Sequence, residues 1–207
     1  MWRKTGMRCK NYYYYYKEAL SPKFCEDVIK YGLSQQNKRA LTGDSKHFFN
    51  EEDKKQLKLL KKKRDSHVVW MDDVWILREI RPWVARANEE AGWNFQWDAA
   101  EAFQFTQYEK GQYYGWHVDS SEGSTQNKIR KLSLTLTLSK PEDYEGGELE
   151  FCLPLSGSSK NQKKICTEIL KQGSIVFFPS FVLHQVKPIL KGIRHSLVCW
   201  HSGEPFR

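Results

Sequence analysis

The sequence predicts a mainly β fold of the sandwich or jelly-roll kind, with N-terminal helices packed on one face. Two observations lead there. Apolar residues recur at three- and four-residue intervals only in the first hundred positions. From Glu101 onward the pattern becomes alternating, in many short runs separated by turn residues. Helices first and then many strands fit a β core with one helical layer. At 207 residues the chain is long enough for one domain with a full core, and no internal repeat is visible. The expected division is a lead-in over residues 1–100, helical with a first strand or strands, and a β core over 101–202.

Taken in order, Tyr12 to Tyr16 suits a first strand, because aromatic residues favour pleated, half-buried surfaces. Ser21-Pro22 is a helix start, serine as N-cap and proline in the first turn, with Phe24, Val28 and Ile29 as its buried stripe. Gln35 to Asp44 reads as loop and strand edge, and a basic helix is expected from about Asn50 to Leu60. Ile76, Ile80, Trp83, Val84, Ala87 and Ala91 mark an amphipathic helix between Asp72 and Ala91, stopped by Gly92. Pro82 within it predicts a kink or a division into two helices.

In the β half, Gln104, Thr106 and Tyr108 share one face of a strand, with Phe103 and Phe105 on the other. Ser120 to Lys128 has loop composition and follows Asp119, as a lid or a connector. In the next strand Leu132, Leu134, Leu136 and Leu138 alternate with Ser133, Thr135 and Thr137, giving an apolar face and a hydroxyl-lined one suited to a cavity for polar ligands. Pro154 to Lys164 reads as a surface loop, and strands are expected at Ile165–Leu170, Ser174–Phe178 and Ile193–Trp200.

The net charge of +8 arises from 33 basic and 25 acidic residues. It is concentrated in Lys54, Lys55, Lys58, Lys61, Lys62, Lys63 and Arg64, most simply the solvated face of a helix and no identification of nucleic acid as substrate. The five cysteines are widely spaced without a CxxC pair, which argues against a zinc knuckle or disulfide framework and for a reducing compartment. No stretch approaches the roughly 18 apolar residues of a membrane span, and no signal peptide is visible, so a cytoplasmic protein is expected.

The chemistry centres on Tyr113 to Asp119. His117 and Asp119 lie two apart on an extended segment and so face one side. His184 offers a third ligand, completing a two-histidine, one-carboxylate set that leaves coordination positions open and is associated with non-haem Fe(II). Arg194, ten residues further on, can grip a carboxylate in bidentate fashion, and Ser196 on the same strand face can add a hydrogen bond. A cosubstrate that chelates iron at one end and carries a carboxylate at the other fits this pattern. His47, His67, His195 and His201 are assigned to surface or core, and the tryptophans at 70, 75, 83, 93 and 97 to core.

These residues resemble the prolyl 4-hydroxylase type of Fe(II)- and 2-oxoglutarate-dependent dioxygenase. The likeness is carried by Gln107-Tyr108-Glu109-Lys110-Gly111, Tyr114, His117-Val118-Asp119, Leu132 to Leu138 and Tyr144-Glu145-Gly146-Gly147-Glu148-Leu149. Phe178-Pro179-Ser180, His184-Gln185-Val186 and Gly192-Ile193-Arg194 complete it. The segment from Ser21 and the Arg64-Asp65-Ser66 region resemble the family's helical lead-in more loosely. The resemblance implies a double-stranded β-helix (jelly roll, cupin-like), in which His117, Asp119 and His184 bind iron and Arg194 pairs with the distal carboxylate of 2-oxoglutarate. It further implies that Tyr108 donates to that carboxylate, that Thr137 and Ser196 lie in the cosubstrate site, and that Tyr114 and Trp200 line the pocket. O2 would be the second cosubstrate and ascorbate the reductant.

The reaction implied is hydroxylation of a substrate C–H bond with release of succinate and CO2, on a peptidyl proline or other protein residue. A free amino acid or other small molecule is the alternative substrate. A different class, a non-catalytic metal-binding β-barrel, would have no need of open iron positions.

Overall fold

The computed structural model describes residues 11–35, 38–40, 63–120, 127–154 and 161–206. The expected basic helix at 50–60 and most of the 120–128 loop lie outside these residues. The elements run β1 (Tyr14–Tyr16), α1 (Pro22–Ser34), β2 (Lys38–Ala40), β3 (Arg64–Met71), α2 (Val74–Glu90), β4 (Ala99–Ala100), β5 (Phe103–Tyr108) and β6 (Tyr113–His117). They continue through β7 (Ile129–Thr137), β8 (Tyr144–Gly146), β9 (Leu149–Pro154), β10 (Asn161–Ile165), β11 (Ile175–Pro179), β12 (His184–Val186), β13 (Ile189–Gly192) and β14 (Arg194–Gly203).

The main sheet has the antiparallel order β1-β11-β7-β14-β5-β3-β6-β12-β9-β10. Strand β3 belongs to both halves of the curl: His67 to Met71 pair with β5, and Arg64 and Asp65 pair with β6. The sheet turns there, so β6, β12 and β9 lie over β14, β7 and β11, giving the jelly roll with helices on one face.

Alternation sorts the β7 side chains as expected. Leu132, Leu134, Leu136 and Leu138 are fully buried in the core shared with the helices, alongside Ile76, Ile80, Val84 and Ala87 of α2. A second apolar cluster, including Phe151, Val176, Phe178 and Val186, fills the inside of the curl. Burying these side chains contributes roughly 1.5–3 kcal/mol each against exposure.

Helix α1 starts as the sequence predicts: Ser21 Oγ accepts from the backbone N–H of Phe24, satisfying an otherwise free donor. Its buried stripe is Cys25, Val28 and Gly32, with Phe24 and Ile29 at its edges. Gly32 lets helix and sheet approach closely, because a Cβ there would meet the Phe105 ring at 2.6 Å. Helix α2 is one continuous element through Pro82, which excludes the division offered as one of the two expectations, a kink being the other. Pro82 lies on the exposed face, where water can satisfy the carbonyl that loses its partner. Gly92 ends the segment at φ +73°.

Other expectations are corrected. Arg64–Met71, in the lead-in expected to hold a first strand or strands as well as helices, is a central strand. The strand expected at Ile165–Leu170 lies earlier, at Asn161–Ile165, and Thr167–Ile169 forms a 3-10 turn. Trp83, Trp93 and Trp97 pack on the core, whereas Trp70 and Trp75 are exposed.

Candidate metal and cosubstrate site

His117 ends β6, His184 begins β12, and these two residues are directly paired across the strands. Asp119 follows one turn of chain later, where its backbone N–H donates to the carbonyl of Ser180 at 2.8 Å. One ligand atom from each of His117, Asp119 and His184 lies within 4.8 Å of the others, and all three residues are buried. His117 Nε2 is 3.5 Å from one Asp119 oxygen and His184 Nε2 is 3.6 Å from the other.

The far sides of the imidazoles define their protonation. Nδ1 of His117 is 2.8 Å from the Gly115 carbonyl and Nδ1 of His184 is 2.8 Å from the Val182 carbonyl. A carbonyl oxygen only accepts, so each Nδ1 carries a proton and Nε2 is the ring atom left facing Asp119. This is the outer hydrogen bonding that fixes tautomer and orientation in metal-binding histidines.

Burial pushes the His184 pKa down to about 4, with Asp119 pulling it up and His117 pushing it down. For Asp119 burial alone would raise the pKa, but the charge of His184, the hydrogen bond and charge of His117, and a bond from Ser133 outweigh it. The carboxyl is therefore held well below the usual range. Two imidazoles and a carboxylate, buried and converging, suit a divalent cation such as Fe(II).

Tyr108, Tyr114, His117, Asp119, His184, Arg194, Ser196 and Trp200 all line one cavity, walled elsewhere by apolar side chains including Leu149, Phe178, Val186 and Val198. The Tyr114 ring stacks on His117 at 3.5 Å between centroids, and burial pushes its hydroxyl pKa up to about 12, keeping it a neutral donor. Arg194 is only 2% exposed. Its Nη1 donates to Ser196 Oγ at 3.3 Å, its guanidinium lies 5.7 Å from the Tyr108 ring centre, and among the described residues no carboxylate pairs with it. A buried guanidinium without a counter-ion is costly, and a dicarboxylate's distal end would supply one. The free space is about 30 Å³, so a five-carbon dicarboxylate fits only when lining side chains move apart.

Thr137 is the exception among the expected site residues. Its hydroxyl donates to the Ile169 carbonyl at 2.8 Å, because the 3-10 turn at Thr167–Ile169 packs against this end of β7. The β7 hydroxyl residue on the cavity wall is Thr135.

Further polar groups escaped the sequence reading. Arg64 is buried, with Nε on Ser66 Oγ at 3.0 Å, Nη1 on the cavity-lining Gln104 at 3.3 Å and its guanidinium 4.6 Å from the Tyr114 ring centre. Its Nη2 has no partner. Arg130 is held bidentate by Glu101 at 2.7 and 2.6 Å and lies 4.0 Å over the Trp200 ring, whose Nε1 is buried without a partner. Only the pairing of distant strands brings these groups against side chains that line the cavity. The alternation of Gln104, Thr106 and Tyr108 was the available signal for Gln104.

A curled antiparallel sheet bearing a buried His/Asp/His cluster and a facing arginine defines a class: the double-stranded β-helix oxygenases built on a facial triad. Comparison with known proteins specifies the family. Residues 103–202 match the family model of the 2OG-Fe(II) oxygenase superfamily, and the β core of this chain resembles a 2-oxoglutarate/Fe(II) oxygenase core of the prolyl 4-hydroxylase type.

A PKHD-type hydroxylase of Shewanella baltica is 39% identical over 98 residues, 46% of this chain and 40% of the relative. One from Synechococcus sp. strain CC9902 is 45% identical over 92 residues, 44% of this chain and 37% of that protein. The match thus spans about two fifths of these relatives' length. Among solved structures, viral collagen prolyl hydroxylase of Paramecium Bursaria Chlorella virus-1, in its 2OG complex, superposes with TM-score 0.63 at 21% identity, covering 96% of this chain and 99% of that one. A Trichoplax adhaerens prolyl hydroxylase in complex with a hypoxia inducible factor oxygen degradation domain peptide fragment gives 0.66 at 16% identity, covering 92% and 83%. At these identities the likeness shows the fold.

Proposed function

We propose that this chain is an Fe(II)- and 2-oxoglutarate-dependent dioxygenase that hydroxylates a C–H bond of a peptidyl residue, proline in the first instance. The observation that carries the reading is the buried arginine without a counter-ion, Arg194, in the same cavity as the His117, Asp119 and His184 cluster. His117 Nε2, His184 Nε2 and a carboxylate oxygen of Asp119 would hold the iron. When bound, the metal supplies the chemistry of the class, in which O2 and 2-oxoglutarate are consumed, succinate and CO2 released and the substrate hydroxylated.

The protein's own part follows from the geometry. The Gly115 and Val182 carbonyls hold both imidazoles in the ligating tautomer, and the depressed Asp119 pKa keeps a negative charge facing the metal position. Arg194 and Ser196 would receive the distal carboxylate, with Tyr108 as a further donor. Leu149, Phe178, Val186 and Val198 exclude water from the reacting end. Ascorbate is proposed as the reductant that keeps iron ferrous. The support for a peptide substrate is the Trichoplax neighbour, solved with a peptide fragment. The described residues are taken as one catalytic domain in a reducing, cytoplasmic setting, which the four free cysteines support.

The test is succinate formation by protein supplied with Fe(II), ascorbate and 2-oxoglutarate, first alone and then with prolyl peptides and free amino acids. Wild type should make succinate slowly alone and faster with a prolyl peptide. His184→Ala should abolish it, and Arg194→Met should raise the KM for 2-oxoglutarate on the order of 100-fold. No succinate from iron-loaded wild type, or undiminished output from His184→Ala, would sink the reading; stimulation by a free amino acid alone would move the substrate to small molecules.

A further inference from the structure

Beside the metal site lies a second cleft, of about 450 Å³, whose lining includes Phe95, Gln96, Lys131, Glu204 and Phe206. Lys131 is its unusual member. It is 5% exposed, its ammonium sits 4.8 Å from the Phe206 ring centre, and its side chain makes no hydrogen bond or ion pair among the described residues. The stem of Lys131 is buried, whereas Nζ is not among the buried unpartnered side-chain atoms and opens to the cleft beside the Phe206 ring. Glu204 also lines the cleft but is exposed at its edge and does not pair with Lys131. An ammonium carried on a buried stem at the wall of an open cleft is a ready donor for an incoming anion.

The cleft is joined to the metal site by backbone. The Lys131 carbonyl accepts from the Ser180 N–H at 2.9 Å, and the Ser180 carbonyl accepts from Asp119 N–H at 2.8 Å. Ser180 Oγ also bonds Ser133 Oγ at 2.9 Å. The next residue, Phe181, is 40% exposed and joins the aromatic wall, 6.5 Å from Phe95 and 6.1 Å from Phe206 between ring centres. The segment that anchors Asp119 therefore also supplies part of the aromatic wall of the cleft.

We propose that this cleft is a specificity subsite that takes an acidic residue of the substrate, its methylenes against Phe95 and Phe206 and its carboxylate on Lys131. The inference rests on the peptide reading of the active site, but its first test is a binding measurement independent of turnover. The full chain, loaded with Zn(II) and 2-oxoglutarate and labelled with 15N, is titrated with N-acetyl-Gly-Glu-Gly-amide and with its Gln counterpart. The expected result is amide shifts at Phe95, Gln96 and Phe206 with the Glu peptide, at least tenfold weaker binding of the Gln peptide, and an at least tenfold loss for the Glu peptide in Lys131→Met that Lys131→Arg restores.

Equal binding of the two peptides by wild type, no shifts at these residues up to millimolar peptide, or undiminished binding by Lys131→Met overturns the proposal. The wild-type comparison decides even where a variant does not fold. Binding in the cleft without any succinate production would leave the subsite standing and remove the catalytic reading. Succinate production without binding would do the reverse. Among peptides that are turned over, an acidic neighbour should lower KM in wild type and not in Lys131→Met, with succinate formation in the absence of substrate unchanged.

Discussion

At the scale of single residues, the cavity depends on side chains whose freedom has been removed by neighbours that do no chemistry. Arg194 is an example. Gly147 sits behind it at φ +67°, and a Cβ there would lie 3.0 Å from Arg194 Cδ and collide with the Ile189 side chain. Gly147 therefore serves as a backstop that lets the guanidinium lie flat beside Tyr108 and Ser196, on top of the left-handed backbone that already favours glycine. Gly147→Ala should displace Arg194 and raise the KM for 2-oxoglutarate about tenfold or more, with a smaller change in kcat at saturation. Titrating 2-oxoglutarate in the succinate assay checks this, and an unchanged KM would show that Arg194 has slack. The same scale explains why Thr137 misled the sequence reading. Thr135 and Thr137 share a strand face, and alternation cannot say which hydroxyl is taken by the Ile169 carbonyl and which meets the cavity.

At the scale of elements, the helical layer is locked to the sheet at Gly32 of α1 against Phe105 of β5. On an exposed helix face Gly→Ala would gain up to about 1 kcal/mol from propensity. Here the new methyl meets the ring at 2.6 Å, so Gly32→Ala should instead cost about 1–3 kcal/mol through overpacking. Urea denaturation of the two proteins checks the sign, and a stabilised variant would mean the helix can shift freely on the sheet.

Elements also mark the limit of what could be read from sequence. The ends of α1 and α2 and the alternation of β7 were legible, because caps and periodicity are local. Strand β3 was not: its cavity face carries Arg64 and Ser66, which bond to each other and to Gln104, so hydrophobic alternation is absent where the strand matters most. The triad and Arg194 were legible because their residue types and short spacings carry the chemistry. Arg64, Arg130 and Lys131 were not, since each acquires its position through pairing with residues far along the chain.

At the scale of the whole molecule, the closed curl buries ionisable groups in their neutral forms, and this makes stability depend on pH. His201 of β14 is 2% exposed, its Nδ1 has no partner, and burial holds its pKa down to about 4 against 6.5 for the free side chain. The folded pKa is depressed, so the unfolded chain takes up the proton first. The stability His201 contributes is intact above about pH 6.5 and is lost as pH falls toward 4, by up to about 3 kcal/mol. Urea unfolding at pH 7.5 and 4.5 should show a larger loss for wild type than for His201→Gln; equal losses would mean that the ring is hydrated. The buried cysteines point the same way: burial pushes Cys25, Cys166 and Cys199 up to about 12, leaving them as inert thiols.

The narrowness of the central cavity, about 30 Å³, bears on how tightly a cosubstrate can be held. To admit 2-oxoglutarate, side chains such as Tyr108 and Trp200 must give up contacts they make with their neighbours, and the free energy of doing so is subtracted from whatever Arg194 and the metal gain. Measured affinity therefore reports a difference between an open and a closed ensemble. A substitution that merely loosens the wall, touching neither ligand nor arginine, can strengthen binding of 2-oxoglutarate while weakening the exclusion of water that the reaction requires.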